Sequence, residues 1–306
     1  MAKIIQFSHP GKDLTYKQKT SDAYIFTAED EGYRFWNNEA DHKRKFIRSK
    51  GQYLEKKGST SFETEPKKGI INFWGEWEPQ SKFTLTGTDD KELPPAIHEP
   101  LYSDYGKGCH NTDPFVFGDC FYYTNCKQYQ EGNGKKMLSL DEYSIILYGS
   151  EIDRSKFVLD TLFVIESKET VLEYRKHKND YPELLKKATI ELGDGLQPWH
   201  TLYKAKMYKK SKYEKNPYIF SFVPCVPNYS DGFKRPVIDT EKYNLQSPGA
   251  GTVLYGTEPE NCGFKTIEAF WNSIVKDVIK QGCSLGIKIE MPEIMNSREA
   301  KKLFDV

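Results

Sequence analysis

Eight short segments dense in β-branched and aromatic residues punctuate the chain, and helical patterns do not alternate with them. They are residues 3–7 (KIIQF), 23–27 (AYIFT), 70–77 (IINFWGEW), 115–123 (FVFGDCFYY), 144–148 (SIILY), 157–165 (FVLDTLFVI), 218–223 (YIFSFV) and 285–290 (LGIKIE). Side chains of this kind suit a pleated, half-buried surface. Gly, Pro, Asn and Asp gather between the segments, as turns require. A doubly wound parallel sheet needs a helix between successive strands. The expectation is therefore an α+β fold, with a mixed or antiparallel β-sheet, or a partly closed barrel, and helices packed against it. The segments at 144–148 and 157–165 predict a hairpin closed by the polar loop 149–156.

Helical periodicity appears in three places. Residues 38–57 put Phe46, Ile47, Tyr53 and Leu54 on one face, with Gly51 as a weak point. Residues 170–192 read as two helices, the second capped by Asp180 with Pro182 in its first turn. Residues 266–281 carry a broad apolar stripe of Ile267, Phe270, Trp271, Ile274, Val275, Val278 and Ile279, stopped by Gly282.

At 306 residues the chain is long enough for one large domain, with a possible subdomain boundary near the loop-rich, basic stretch 194–215. Lys+Arg and Asp+Glu both number 44, which argues against a polybasic protein whose overall charge holds it on nucleic acid. No run approaches the roughly 18 apolar residues of a spanning helix, and the N-terminus lacks a signal-peptide core, so a cytoplasmic setting without membrane partners is expected. The six cysteines form no CxxC pair, which favours buried or free thiols over a disulfide framework.

Several chemistries lack their motif. There is no phosphate-binding P-loop, no GxGxxG opening a helix, no GxSxG elbow and no HExxH. Cys109, His110, Cys120 and Cys126 have the types of zinc ligands but not the spacing of a finger or ribbon, so no metal is assigned. No cofactor is indicated.

The richest polar segment is 108–128, GCHNTDPFVFGDCFYYTNCKQ. It brings Cys109, His110, Asn111 and Asp113 to a turn, then an aromatic strand, then Asn125 and Gln128. Amides beside aromatic faces suit a pocket that pairs with a base edge while a ring stacks on it. The plainer alternative is an Asx-type turn whose amides bond the backbone. Residues 72–80, NFWGEWEPQ, place Trp74, Glu76 and Glu78 on one face of a strand and Trp77 on the other. Two carboxylates beside a Trp suit acid–base chemistry, although a solvated edge strand is the more ordinary use of such charges. His98 precedes Glu99 in a third polar pair. The motif FSHPGKDL at 7–14 offers backbone donors and a lysine to an anion, more weakly than a true phosphate loop.

Charge is clustered locally. Residues 41–57 carry seven Lys/Arg against two acids, among them Lys43, Arg44, Lys45 and Arg48, and 203–215 carry six lysines interleaved with three tyrosines. Such stretches fit a phosphate backbone with unstacked bases, or a plain solvated face. The wording of FWGEWEP, NTDPFVFG, NCKQ and ILYGS with FVLDTLFVI is similar in style to bacterial proteins, and the strand-rich run ending in GDCFYY resembles compact PUA-like modules, which implies a small barrel.

The expected function is recognition of a nucleotide or nucleic acid. Trp74, Trp77, His98, Cys109, Asn111, Asn125 and Gln128 would hold the base, and Lys43 and Arg44, or residues 204–215, would meet phosphate. The alternative is a hydrolase or transferase acting on a nucleotide or sugar through Glu76, Glu78, His110 and Asp113. A third reading is a protein-interaction module presenting exposed aromatics.

Overall fold

The computed structural model describes residues 1–8, 31–34, 44–88, 90, 92–104, 112–153, 155–191, 196–210, 219–228, 232–245 and 253–304. The first half of the chain carries β1 (Ile4–Ser8), β2 (Glu31–Arg34), β3 (Lys45–Leu54), β4 (Lys56–Lys57), β5 (Ser61–Phe62), β6 (Lys67–Gly75), β7 (Ser81–Leu85), β8 (Ala96–Ser103) and β9 (Tyr122–Tyr123). The second half carries β10 (Ile145–Asp153), β11 (Lys156–Thr170), β12 (Thr201–Ala205), β13 (Val223–Pro227), β14 (Val237–Asp239), β15 (Val253–Thr257), β16 (Ser284–Ile289) and β17 (Glu293–Met295). Helices α1 (Val171–Lys176), α2 (Glu183–Leu185), α3 (Ile267–Lys280) and α4 (Ser297–Phe304) are few and short. The fold is α+β with sheets predominating. No helix of the described residues is long and apolar enough to cross a membrane.

Two mixed sheets carry the architecture. One runs β15-β1-β10-β11-β12-β9, with β14 added to β11; the other runs β16-β13-β6-β3-β8-β7-β2. In the second, β16 also pairs with β3, so β3, β6, β13 and β16 close into a four-stranded antiparallel barrel. Gly51 makes that closure possible: a Cβ there would lie 2.5 Å from the Lys288 carbonyl oxygen. Strand glycines mark such close backbone approaches.

A shared core joins the sheets. Phe7, Tyr148 and Phe163 from the first pack with Ile47, Phe73 and Val223 from the second. The opposite face of the first sheet is covered by α3, whose Phe270, Trp271, Ile274, Val278 and neighbours meet Leu147, Leu159, Leu162 and Phe222. Thr266 caps α3, its hydroxyl accepting from the Ala269 N–H, and Gly282 past its end takes φ 95°. The apolar stripe read from the sequence is the buried face of this helix.

The hairpin forms as expected from β10 and β11, but with an irregularity that matters later. Tyr148 pairs with Thr161 and Gly149 with Leu159, leaving Asp160 as the extra residue of a β-bulge. Its effect shows in the cores: Leu159 and Leu162, three apart, both enter the α3 side, which regular alternation forbids. Gly149 opposes the bulge so closely that any side chain would collide with the Val158 carbonyl and the Phe157 ring.

Other expectations need correction. The helix expected over 38–57 is strand β3 in its described part. Nine residue pairs from Lys45–Gly75 to Tyr53–Lys67 bind it to β6, and β16 and β8 take its other edge. Short apolar runs fit either period, and tertiary pairing decides. The strand expected over 115–123 is mostly a folded-back loop, because Gly118 at φ 91° turns the run so that Phe115 and Tyr122 exchange backbone hydrogen bonds. In 170–192, Asp180 belongs to a 3-10 turn, and Pro182 stands just before α2. The strand expected at 218–223 runs instead over Val223–Pro227. The segment 23–27 and the motif beyond Ser8 lie outside the described residues.

Candidate functional site

Where the barrel strand β3 begins, its chain neighbour Arg44 stands opposite Glu76, the residue following β6. Both are buried, and Arg44 Nη1 donates to Glu76 Oε2 at 2.5 Å. The solvated edge expected for Glu76 and Glu78 is not found: each is 2 % exposed, because 76–80 turn inward beneath the 112–128 segment instead of continuing β6. Arg44 reaches the first sheet as well, its Nε lying 3.1 Å from Asp160 Oδ2. The bulge in β11 aims Asp160 at this point. Arg235 completes the chain, with Nη1 at 3.5 Å from Asp160 Oδ2 and 3.0 Å from Ser150 Oγ, and its guanidinium 5.2 Å from the Trp74 ring centroid. Trp74 is fixed from its other end by donating Nε1–H to the Phe233 carbonyl at 2.8 Å.

Two guanidiniums and two carboxylates thus alternate, Glu76–Arg44–Asp160–Arg235, between the two sheets. Burying charge costs several kcal/mol per ion unless each is paired and its remaining hydrogen-bonding capacity is met. Here that capacity is not all met. Arg44 Nε and Nη2, Asp160 Oδ1 and the hydroxyl of Tyr148, which pairs across the strands with Thr161 next to Asp160, are buried without a hydrogen-bond partner. Unpaired buried polar atoms are few in native proteins and call for an explanation. Burial raises the Asp160 carboxyl above its usual range, against the pull of Arg235 and Arg44. Burial also lowers Arg235, with Asp160 opposing. The Tyr148 phenol is pushed well up by burial and by nearby Tyr123 and Asp113, so it stands as a neutral donor.

Asp113 lies beside this group but is occupied. Its Oδ1 accepts from the Thr124 N–H at 3.0 Å, and its Oδ2 from Asn125 and Cys126 at 2.8 and 2.7 Å. Burial pushes its carboxyl up to about 7 against those three bonds and the Arg44 charge. It is the clasp of the 124–126 turn.

The amides of the same segment are likewise taken. Asn125 Nδ2 donates to the Thr189 carbonyl, and Gln128 forms a two-way bridge with the Thr201 backbone at 2.9 and 2.8 Å. Pairing with a base edge would break these bonds, and the plainer turn reading describes the geometry. Trp77 is buried against Phe117 and donates to the Gln80 carbonyl. His98 is buried on β8, its Nδ1 2.7 Å from Ser81 Oγ and its ring beside Phe83. Cys109, His110, Asn111 and Lys43 lie outside the described residues.

The structure therefore brings Arg44, Glu76 and Trp74 together, with Asp113 adjoining, and sets Asn125, Gln128, Trp77 and His98 to structural bonds. Sequence reasoning missed Asp160, Arg235 and Tyr148. Asp160 did carry a signal, as the one charged residue in the buried run FVLDTLFVI. Arg235, in a Pro/Gly/Asp-rich stretch, carried none. Among the described residues no group of three or more His, Cys, Asp or Glu side chains is placed to hold a metal ion. Of the cysteines, Cys225, Cys262 and Cys283 are buried in apolar clusters. Compared with models of protein families, with curated proteins and with solved structures, the chain matches none.

Proposed function

We propose that this protein recognises a nucleotide, free or within a nucleic acid, at the Arg44–Tyr148–Asp160 group. The observation that carries this reading is that three of the unpartnered buried atoms, the donors Arg44 Nη2 and Tyr148 Oη and the acceptor Asp160 Oδ1, belong to residues that the Arg44–Asp160 ion pair and the Tyr148–Thr161 strand pairing bring to one part of the fold. A nucleotide presents complementary groups, with phosphate oxygens to accept from the donors and a ribose hydroxyl or base N–H to give to the carboxylate. Arg44 Nη2 supplies one charged donor to a phosphate oxygen, and Trp74 under Arg235 holds the second guanidinium in place.

The test is calorimetric titration of AMP, GMP, CMP and UMP into the wild-type protein and Asp160→Asn. The expected result is binding of at least one nucleotide, weakened tenfold or more in the variant while its fold is retained. No heat from any of the four at millimolar concentration, or equal affinity in the variant, contradicts the proposal.

A second reading is supported by Glu76 and Asp160 converging on one arginine with Asp160 raised, which suits a hydrolase or transferase on a nucleotide or sugar. Turnover of the bound nucleotide, abolished in Glu76→Gln while binding persists, distinguishes this reading from recognition alone.

A further inference from the structure

The sheet face that carries Arg44 does not end at the buried group. Along β3 the same face presents Phe46, Arg48, Lys50 and Gln52, and along β6 it presents Trp74, Asn72, Ile70 and Lys68 directly opposite. Phe46 and Trp74 are capped by Phe233. Beyond them Arg48 donates Nε–H to Asn72 Oδ1 at 3.2 Å, and the face opens to solvent. There β16 adds Lys288, whose register partner is Gln52. The result is a groove of about 500 Å³ on the barrel wall, lined by Lys50, Gln52, Lys68, Ile70, Lys288 and Glu290. Lys50 and Lys68 are exposed and enter no ion pair within the described residues, while Lys288 meets only the well-exposed Asp119. In a chain of zero net charge this is a local excess of cations around a partly apolar floor.

From Arg44 to Lys50 is six residues of strand, or about 20 Å at ~3.4 Å per residue. A mononucleotide cannot reach both ends. Along β3, Arg48 and Lys50 stand ~6.8 Å apart, and Lys68 and Lys288 flank Gln52 on the two neighbouring strands, so the cations spread across the sheet face as well as along it. We infer that the Lys50–Lys68–Lys288 groove is a track for the phosphate backbone of a single-stranded nucleic acid, one nucleotide of which enters the Arg44–Tyr148–Asp160 group. This rests on the nucleotide reading above and names its substrate class as a polynucleotide. The strand would pass outside Phe233, whose half-buried ring offers an apolar face to a base.

The experiment compares fluorescence anisotropy of labelled oligo-dT and oligo-U, each of roughly 12 nucleotides, with calorimetry of the mononucleotides. The proteins are wild type, Asp160→Asn and the triple variant Lys50→Gln, Lys68→Gln, Lys288→Gln. These side chains lie on the solvent side of the barrel, and a thermal melt verifies the variant's fold. The expected result is that an oligonucleotide binds wild type at least tenfold more tightly than any mononucleotide. The triple variant should lose at least tenfold of that affinity and about 2 units of its log–log salt slope, since three single-strand phosphate contacts contribute ~0.7 each. Its mononucleotide binding should be unchanged. Oligonucleotide binding no tighter than that of a mononucleotide, or an unaltered affinity and slope in the variant, overturns the track while leaving the nucleotide site standing. Lysine-dependent oligonucleotide binding that is indifferent to Asp160→Asn overturns the link to the buried group, and the mononucleotide titrations decide the nucleotide reading separately.

Discussion

Replacing Arg44 with methionine is expected to destabilise the protein by about 3–5 kcal/mol, the cost of breaking a buried ion pair from one side. Arg44 is 1 % exposed and is the cation shared by Glu76 and Asp160, at 2.5 and 3.1 Å. Without it Glu76 loses its guanidinium, and Asp160 keeps only Arg235, 3.5 Å away. The Asp160 carboxyl would then protonate in the folded state more readily than it already does. A folded-state carboxyl raised above its unfolded value favours folding below the unfolded pKa and loses that contribution as pH rises. The deficit relative to wild type should therefore be smaller near pH 5 than near pH 8. Urea unfolding at both pH values measures it. The double variant Arg44→Met, Glu76→Leu should recover part of the loss, because removing both members of a buried pair is far less harmful than removing one. A single variant as stable as wild type would mean that the cluster is not the buried, coupled unit described.

The second large effect concerns Asp113. Asp113→Asn should cost about 1–3 kcal/mol, because in either orientation the amide nitrogen would face at least one of the three N–H groups that the carboxylate now accepts, leaving a donor buried and unsatisfied. The variant should also change the pH dependence. With its folded pKa pushed up to about 7 by burial, Asp113 favours folding most fully below its unfolded value near 4, and that contribution is lost as pH rises through 7. Wild-type stability should thus carry a component that falls between about pH 4 and pH 7, and the variant should lack it. Urea midpoints across that range decide. An unchanged slope in the variant would show that another group titrates, and unchanged stability would show that the clasp is not needed.

How much of this was legible in the sequence differs by element. Helix α3 was legible because a full 3.6-residue stripe over four turns admits one explanation, and the β10–β11 hairpin because two apolar runs flank a polar loop. Strand β3 was misread because Phe46, Ile47, Tyr53 and Leu54 satisfy a helical face on paper, while nine pairs to β6, made with residues distant in sequence, decide for the sheet. The α+β class and the closed barrel agree with the strand-rich pattern, although the closure itself depends on β16 meeting β3 across more than two hundred residues.

The site was half legible. Arg44, Glu76 and Trp74 stood out by residue type, yet charge alone cannot say that a glutamate after a strand turns inward. Asn125 and Gln128 stood out for the same reason and serve backbone carbonyls and N–H groups instead. Asp160 reaches the cluster through a one-residue bulge, and local sequence does not announce a register shift. Tyr148 looked like one more aromatic of a β-run. Only the assembled sheets reveal that its hydroxyl is buried and left without a partner.

That hydroxyl offers the most direct test of the central claim, that the buried group exists to meet a nucleotide. Tyr148→Phe removes one oxygen atom and no packing. If the hydroxyl serves only structure, its loss should do little else than relieve an unsatisfied buried dipole, and nucleotide affinity should not change. The account predicts thermal stability equal to or above that of wild type together with nucleotide affinity reduced about tenfold, the worth of one lost hydrogen bond to a charged phosphate. Unchanged affinity in a stable Tyr148→Phe protein that still binds nucleotide would contradict the claim.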